Sequence, residues 1–262
     1  STEPLFILDG SPISSGAFTA INPSDIENVT VLKDASSTSI YGSRAANGVV
    51  VITTKRGKGA KPTVSIKGQY GFSQPALPTT EMMSTSQYYD LWKTIAPNAD
   101  LSIIKQYMDM GINTNWQDYF LKDNAPTWQL DASITGVSKN TNYFISASHY
   151  DQEGVEPASG MKRETLRSNI DTKVFDWLRV GVNLGLSYED FETNGFATTG
   201  NSWYNVATLS RWALPWETPY EIVDDGNGNW HYGDRKDLLD VLGLWNPYYL
   251  LENQPAEKNS LR

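Results

Sequence analysis

Five stretches of the chain alternate apolar and polar side chains with the two-residue period of a strand whose faces meet different surroundings. In the first, Val64, Ile66, Tyr70 and Phe72 alternate with Thr63, Ser65, Lys67 and Gln69. The second sets Trp128, Leu130, Ala132 and Ile134 against Gln129, Asp131, Ser133 and Thr135, and the fourth sets Leu166, Ile170 and Val174 against Arg167, Asn169, Asp171 and Lys173. The third is less tidy, with Tyr143, Ile145 and Ala147 on one face and Phe144, Ser146 and Ser148 on the other. The fifth is the cleanest: Leu178, Val180, Val182, Leu184, Leu186 and Tyr188 interleave with Arg179, Gly181, Asn183, Gly185, Ser187 and Glu189.

Any one of these segments suits a soluble antiparallel sheet with one wet face. Connection lengths separate that reading from a membrane wall. Short turns at 138–141 and 175–177 join strands two to three and four to five, while the other connections are long. Short on one side and long on the other is the pattern of an outer-membrane barrel, whose strands need only about 10 residues each. Five strands cannot close a barrel, and an open edge in lipid leaves backbone groups unsatisfied, so the chain is expected to be part of a longer one. No run approaches the roughly 18 apolar residues of a membrane helix, and nothing resembles a secretory signal.

Residues 25–58 follow a different pattern, DIENVTVLKDASSTSIYGSRAANGVVVITTKRGK. A β-branched run from Ile26 to Leu32 ends at Asp34, an N-cap candidate for a short helix from Ala35 to Tyr41, with Gly42 in the C′ position. After the Asn47-Gly48 turn signal comes Val49 to Thr54, a run of the kind buried on both faces, which predicts a small βαβ-like unit. The basic residues that follow, Lys55, Arg56, Lys58 and Lys61, read as solvated charge.

The same stretch resembles, almost position for position, the end of the plug domain in the SusC/RagA family of TonB-dependent outer-membrane receptors. The parts that carry the likeness are PLFILDGSPI at 4–13, INPSDIENV, VLKDASSTSIYGSRAANG and VVVITTKRGK; Thr30 departs from it, since an acid is common there in the family. Further matches are NTNWQDYF at 113–120, TNYFISASHYDQEG at 141–154, WLRVGVNLGLSY at 177–188 and NPYYLLEN at 246–253. The resemblance implies a mixed fold: the C-terminal part of an α/β plug over 1–58, then over 59–262 the first antiparallel strands of a barrel of about 22 strands. It further implies an importer of oligosaccharides or peptides with a SusD-like surface lipoprotein, energised by the TonB complex through a segment preceding residue 1. On that reading Asp34, Gly42, Arg44, Asn47 and Gly48 are structural residues of the plug motif, and a sixth strand begins near Lys258.

Composition narrows the chemistry. The formal charge of −9 without a basic stripe makes a poor nucleic-acid binder, and the lack of cysteine excludes thiolate catalysis, disulfides and cysteine–zinc sites within this chain. His149 and His231 are isolated, residues 224–229 lack the pattern of a calcium-binding EF-hand, and nothing fixes a spacing for Glu153 and Glu156. No catalytic residue, metal or cofactor is therefore expected. The long loops, 74–126 and 191–257, are where specificity would sit. The first has helical spacing at Tyr88, Leu91, Trp92 and Ile95, then at Leu101, Ile104 and Met108, with Asp100 as cap and Gly111 as stop. The second is rich in rings, and Trp203, Tyr204, Trp212, Trp216 and Trp230 are its candidates for substrate contact, suited to sugar faces or peptide side chains. Two other readings use the same residues: a soluble carbohydrate-binding module or carbohydrate-active enzyme on a β-scaffold, and a barrel that serves as adhesin or signalling receptor.

Overall fold

Two sheets organise the chain in a computed structural model, which describes residues 3–34, 39–59, 61–75, 81–156, 159–194, 211–227, 229–239, 246, 249 and 255–261. The first sheet contains β1 (Leu5–Leu8), β2 (Ser11–Ile13), β3 (Ile26–Leu32) and β4 (Val49–Thr54), in the order β2-β1-β4-β3, and a short helix, α1 (Ser15–Thr19), lies between β2 and β3 in the chain. β1 lies parallel to β4, with Leu5 opposite Val49, and the other two pairings are antiparallel. Asp9 and Gly10, both at positive φ, make the tight turn between β1 and β2, as an Asp-Gly pair favours. The central strand β4 buries Val49 and Ile52, and Val49 joins Ile7 and Ala45 in a small core flanked by Leu5, Leu32, Tyr41 and Val51.

The predicted βαβ-like unit is corrected here. β3 and β4 pair antiparallel, and the parallel partner of β4 is β1. The described residues of the link between β3 and β4 carry no full helical crossover of the kind a parallel pair would need. Of the helix predicted from Ala35 to Tyr41, residues 35–38 lie outside the described residues; from Ser39 to Ala45 the chain makes 3₁₀ turns. Gly42 interrupts them at φ 68°, ψ −157°, rather than closing a helix from the C′ position. That backbone region is open essentially to glycine alone.

The second sheet begins with β5 (Thr63–Ser73), β6 (Ala125–Ser138), β7 (Thr141–Glu153), β8 (Gly160–Phe175) and β9 (Leu178–Asn194), each antiparallel to the next. Two-residue turns join β6 to β7 and β8 to β9 at one end of the sheet. At the other end, the β5–β6 connection carries α2 (Thr85–Ile95), α3 (Ser102–Asp109) and α4 (Trp116–Phe120). The connection after β9 carries a hairpin of β10 (Tyr220–Asp224) and β11 (Trp230–Arg235) before β12 (Pro255–Leu261) returns beside β9. The sheet is open, with β5 and β12 at its edges.

The loop helices have identifiable starts and stops. Ser84 and Gln87 form a reciprocal capping box on α2. The Asp100 carboxylate accepts from Ser102 N–H at 2.9 Å at the start of α3, and Gly111 follows that helix at φ 76°. The two long loops then pack as one unit. Trp116, Ala213 and Leu239 share an apolar cluster, Trp116 Nε1–H donates to the Leu214 carbonyl at 2.9 Å, and Thr114 N–H donates to Pro215 at 2.7 Å.

Candidate functional site

Strand register places the two faces of the second sheet in opposite worlds. One row runs Ile66, Ala132, Ala147, Leu166, Leu186 across five strands, and these residues share a face. That face turns away from the rest of the protein, with Ile66 71% exposed and Val182, Leu184, Leu186, Leu130 and Val64 also open. The neighbouring row on the opposite face runs Ser65, Ser133, Ser146, Arg167, Gly185, and it is the covered side, where Ser146, Ser148, Arg167, Asn169, Ser187 and Glu189 are buried.

Apolar out and polar in is the inverse of a soluble sheet and the order of a wall in lipid. The outward row from Val180 to Tyr188 covers eight residue steps, about 27 Å along the strand and about 20 Å along the membrane normal at a tilt of roughly 40°. Exposed rings border it: Phe175 and Trp177 stack at 5.7 Å at the short-turn end, while Trp128 and Tyr188 lie toward the long-loop end. Rings with a polar edge settle at such an interface. No helix among the described residues is long and apolar enough to cross a membrane.

The polar face of this wall closes on the first sheet through a seam of charged and hydrogen-bonded groups. Asp25 is its centre. A 3₁₀ turn at Pro23–Asp25, capped by the Asn22 side chain, aims the Asp25 carboxylate at the wall, where it accepts from Ser146 Oγ–H at 2.6 Å and faces Arg167 Nε at 3.5 Å. Burial pushes the Asp25 carboxyl above its usual range, more strongly than Ser146 and Arg167 draw it down. Beside it, Asn22 Nδ2–H and Ser24 Oγ–H both donate to the Asp131 carboxylate at 2.8 Å.

A second group of contacts follows β4. The Asp9 carboxylate accepts from Thr54 N–H at 2.9 Å and from Thr54 Oγ–H at 2.6 Å, while Asn169 Nδ2–H donates to Thr54 Oγ and the Lys55 carbonyl, both at 2.8 Å. Arg56 spans to β8 and β9, donating to Asp171 at 3.0 Å and Asn183 at 2.7 Å. Gly57 passes so close to the β6–β7 pair that a Cβ there would lie 2.3 Å from Tyr143 N and 2.5 Å from Gly136 O. Among the described residues, the buried apolar clusters lie within the first sheet and within the loops, and the seam between sheet and wall is mainly polar, with Phe144 a buried apolar member.

Residues 1–49 match the family model for the TonB-dependent Receptor Plug Domain. The TonB-dependent receptor SusC of Bacteroides thetaiotaomicron is 37% identical over 270 residues, an alignment covering 97% of this chain and 25% of that protein. The chain belongs to the SusC/RagA-type TonB-dependent receptors. TonB-dependent receptor P26 of Formosa agariphila is also 37% identical, over 215 residues, with 80% of this chain and 21% of that protein covered. Among solved structures, the RagAB peptide transporter superposes with a TM-score of 0.73 at 29% identity, over 95% of this chain and 30% of that one. The chain thus spans about a quarter of the length of these curated relatives. SusC/RagA-type receptors are outer-membrane proteins, and the outward apolar face is what this one presents to that membrane. The four-stranded sheet is its plug and the larger sheet its barrel wall.

The residues singled out from the sequence fall in several places. Asp34 and Arg44 are exposed on the plug, Asn47 Nδ2 approaches the Glu3 carbonyl at 3.5 Å, and Gly48 turns at φ 94° beside Leu32. Trp203 and Tyr204 lie outside the described residues. Trp212 is exposed, whereas Trp216 is buried, its ring edge-on to Tyr88 at 4.6 Å across the loop unit. Trp230 stands on β11 beside Tyr232, with ring centres 5.3 Å apart. Between β10 and β11 the Asp225 carboxylate accepts from Asn227 N–H at 2.8 Å and Asn229 N–H at 3.1 Å. A hydrogen bond from the Asn229 side chain, joined by these backbone bonds, holds the Asp225 carboxyl below its usual range.

Sequence reasoning missed the seam. Lys55, Arg56 and Lys58, read as solvated charge, are engaged: Lys55 Nζ donates to the Ser24 carbonyl at 2.6 Å, Lys58 pairs with Glu27 at 2.5 Å, and Arg56 crosses to the wall. Asn22, Ser24 and Asp25 resemble an ordinary Asn-Pro turn. The one available signal was the concentration of Asp131, Arg167, Asn169 and Asp171 on a face that otherwise needs only small polar residues.

Proposed function

We propose that the chain divides at residue 58 into the end of a plug and, from residue 59, the first strands of a barrel that takes up oligosaccharides or peptides across the outer membrane. A SusD-like lipoprotein would present the substrate on the long-loop side, and the TonB complex would draw on the plug from the short-turn side. The substrate passes through unchanged, so the chain works as a transporter and not as an enzyme. The observation that carries this reading is the polar seam. Hydrogen bonds between plug and wall can be exchanged for bonds to water at a net cost of only about 0.5–1.5 kcal/mol each, so a seam made of them can hold at rest and part under load. The plug's own core is apolar and resists the same exchange. Gly42 and Gly48 take backbone conformations that shape the plug's end, with Asp34, Arg44 and Asn47 around them, while Trp212, Trp216 and Trp230 belong to the loop unit that would meet substrate.

The test is a reversible tether. This chain has no cysteine, and Ser24 touches Asp131 across the seam, so Ser24→Cys with Asp131→Cys joins plug to wall on oxidation. Energy-dependent uptake by cells carrying the whole receptor is expected to stop when the pair is oxidised and to return on reduction. Uptake that persists at full rate through a formed tether removes the reading.

A further inference from the structure

Strand register orders the contacts between plug and wall by height. Along β8, from the short-turn end toward the long loops, Asp171, Asn169 and Arg167 meet Arg56, Thr54 and Asp25 in turn. Arg163 stands above all three on the same face, and its Nη1–H donates to the Thr19 carbonyl at 2.9 Å while the guanidinium lies over the Tyr150 ring, 5.4 Å from its centre. Thr19 closes α1, a helix with no buried residue, whose Phe18 stacks on Phe6 of β1 at 4.6 Å. Beneath α1, plug and wall part around an open cavity of about 290 Å³, with Ala17 and Ala20 on the plug side and Thr165, Arg167 and Ser187 on the wall side. Ser187 is 7% exposed, and its Oγ is shut off from solvent with no hydrogen-bond partner among the described residues. Buried hydroxyls normally have a partner, so this one calls for an explanation.

We infer that Arg163 is a positioning residue for uptake: it holds α1 in a raised seat, from which the segment drops into the cavity and passes its C-terminal carbonyls to Ser187. The inference rests on the uptake reading above and gives the plug a moving part at its long-loop end. Ser187 pairs with Thr165 and Glu189 with Arg163, so the two donors stand one inward-facing position apart, about 7 Å along the strands. The last carbonyls of a helix have no partner inside it, and α1 therefore carries acceptors that either donor can take. Exchanging one hydrogen bond for another leaves their number unchanged, and it moves Ala17 and Ala20, both small, into space already open between plug and wall. The chain beyond α1 need not follow, because Asn22 and Ser24 keep it on Asp131. With α1 lowered, the Arg163 guanidinium and the Tyr150 ring face the lumen at the height where cargo arriving from the long-loop side first meets β8 and the plug. A guanidinium that holds either the plug or an acceptor on the cargo ties cargo entry to lowering of the strap, each favouring the other.

The experiment is disulfide trapping in the whole receptor in detergent, without cargo or TonB, with any cysteine outside this chain replaced by serine. Ala17→Cys with Thr165→Cys, across the cavity, reports the lowered seat, and Ser24→Cys with Asp131→Cys, already in contact, reports docking of the plug as a whole. Arg163→Met keeps the side-chain stem and removes the donor. It is expected to speed the first cross-link roughly tenfold or more, the lower end of what a hydrogen bond from a charged group contributes, and to leave the second within about twofold. Arg163→Lys, which restores a charged donor, should return the first rate most of the way. Ser187→Ala added to Arg163→Met should slow it by roughly fivefold, the contribution of one neutral hydrogen bond. A first cross-link unmoved by Arg163→Met, a second one slowed along with it, or indifference to Ser187→Ala overturns the two-seat strap. Because trapping needs neither cargo nor energy, these failures leave the uptake reading standing, whereas uptake that continues through the formed Ser24–Asp131 tether strikes that reading alone.

Discussion

Asp25→Ala is the sharpest probe of the seam, because the structure says what is left behind. Asp25 is 2% exposed and Arg167 8% exposed, with Nε and the carboxylate 3.5 Å apart. Truncating the acid leaves a buried guanidinium without its counter-charge and takes the acceptor from Ser146 Oγ–H. Breaking a buried pair from one side typically costs about 3–5 kcal/mol, most of it the burden of the stranded charge. At about 1.4 kcal/mol per factor of ten, that is a hundred- to several-thousandfold rise in the open population of the seam. Hydrogen exchange of the whole receptor in detergent reads this directly. Amides of β3 and of the 22–27 turn should exchange faster by that factor in Asp25→Ala, while amides of β8 and β9 remote from residue 167 keep their protection. Adding Arg167→Met removes the stranded charge and should recover most of the loss, since replacing both partners of a buried pair is often close to neutral. Exchange of the plug amides within threefold of the parent in Asp25→Ala, or a double variant worse than the single one, would refute the idea that this pair holds the plug to the wall.

Two further outcomes follow from the same surface. Gly57→Ala puts a Cβ against two backbone atoms, Tyr143 N at 2.3 Å and Gly136 O at 2.5 Å, neither of which can rotate aside; overpacking of this kind costs about 1–3 kcal/mol or more, so receptor levels in the outer membrane should drop, and an immunoblot at parental level would count against so close a plug exit. Burial raises the Asp25 carboxyl above 3.8 when the plug is seated, so the seated state binds the proton more tightly than the released one. The stability this contributes is present below 3.8 and is lost as pH rises through the raised value. The urea midpoint for plug release, compared between the parent and Asp25→Asn, should therefore diverge across that window, and parallel pH profiles would remove Asp25 as the source.

The wall was legible because lipid and lumen impose opposite demands on alternate residues, and period two is visible in any strand that separates them. Even the untidy third segment makes sense in place: Phe144, on the polar side of β7, is buried in the interior between wall and plug. The plug sheet was legible in its strands but not in its pairing. The run from Val49 to Thr54 reads as a central strand, yet whether it runs with or against Ile26 to Leu32 depends on the link between them. That link turns through Gly42 in a conformation which no helix-cap pattern describes. The seam was hidden for a different reason. Arg56 and Asp171 are 115 positions apart, and Asp25 and Ser146 are 121 apart. No local spacing relates such partners, and each side chain taken alone is an ordinary polar residue on a turn or strand.

Polar contacts at this seam do something apolar ones could not. Were the plug docked through an extension of the Ile7–Ala45–Val49 core, separation from the wall would expose apolar area to water at roughly 25 cal/mol per Å², and the plug's own sheet would be no harder to open than the joint. With hydrogen bonds and ion pairs at the joint and apolar packing inside the plug, water can replace what the wall supplied but not what β1 and β4 supply to each other. The joint is then the place where the assembly parts first. Among the ion pairs that reach the wall, Asp25 and Arg167 are dry where Arg56 and Asp171 are partly exposed, so water cannot easily take over either partner and the charged part of the seam's resistance should be concentrated there.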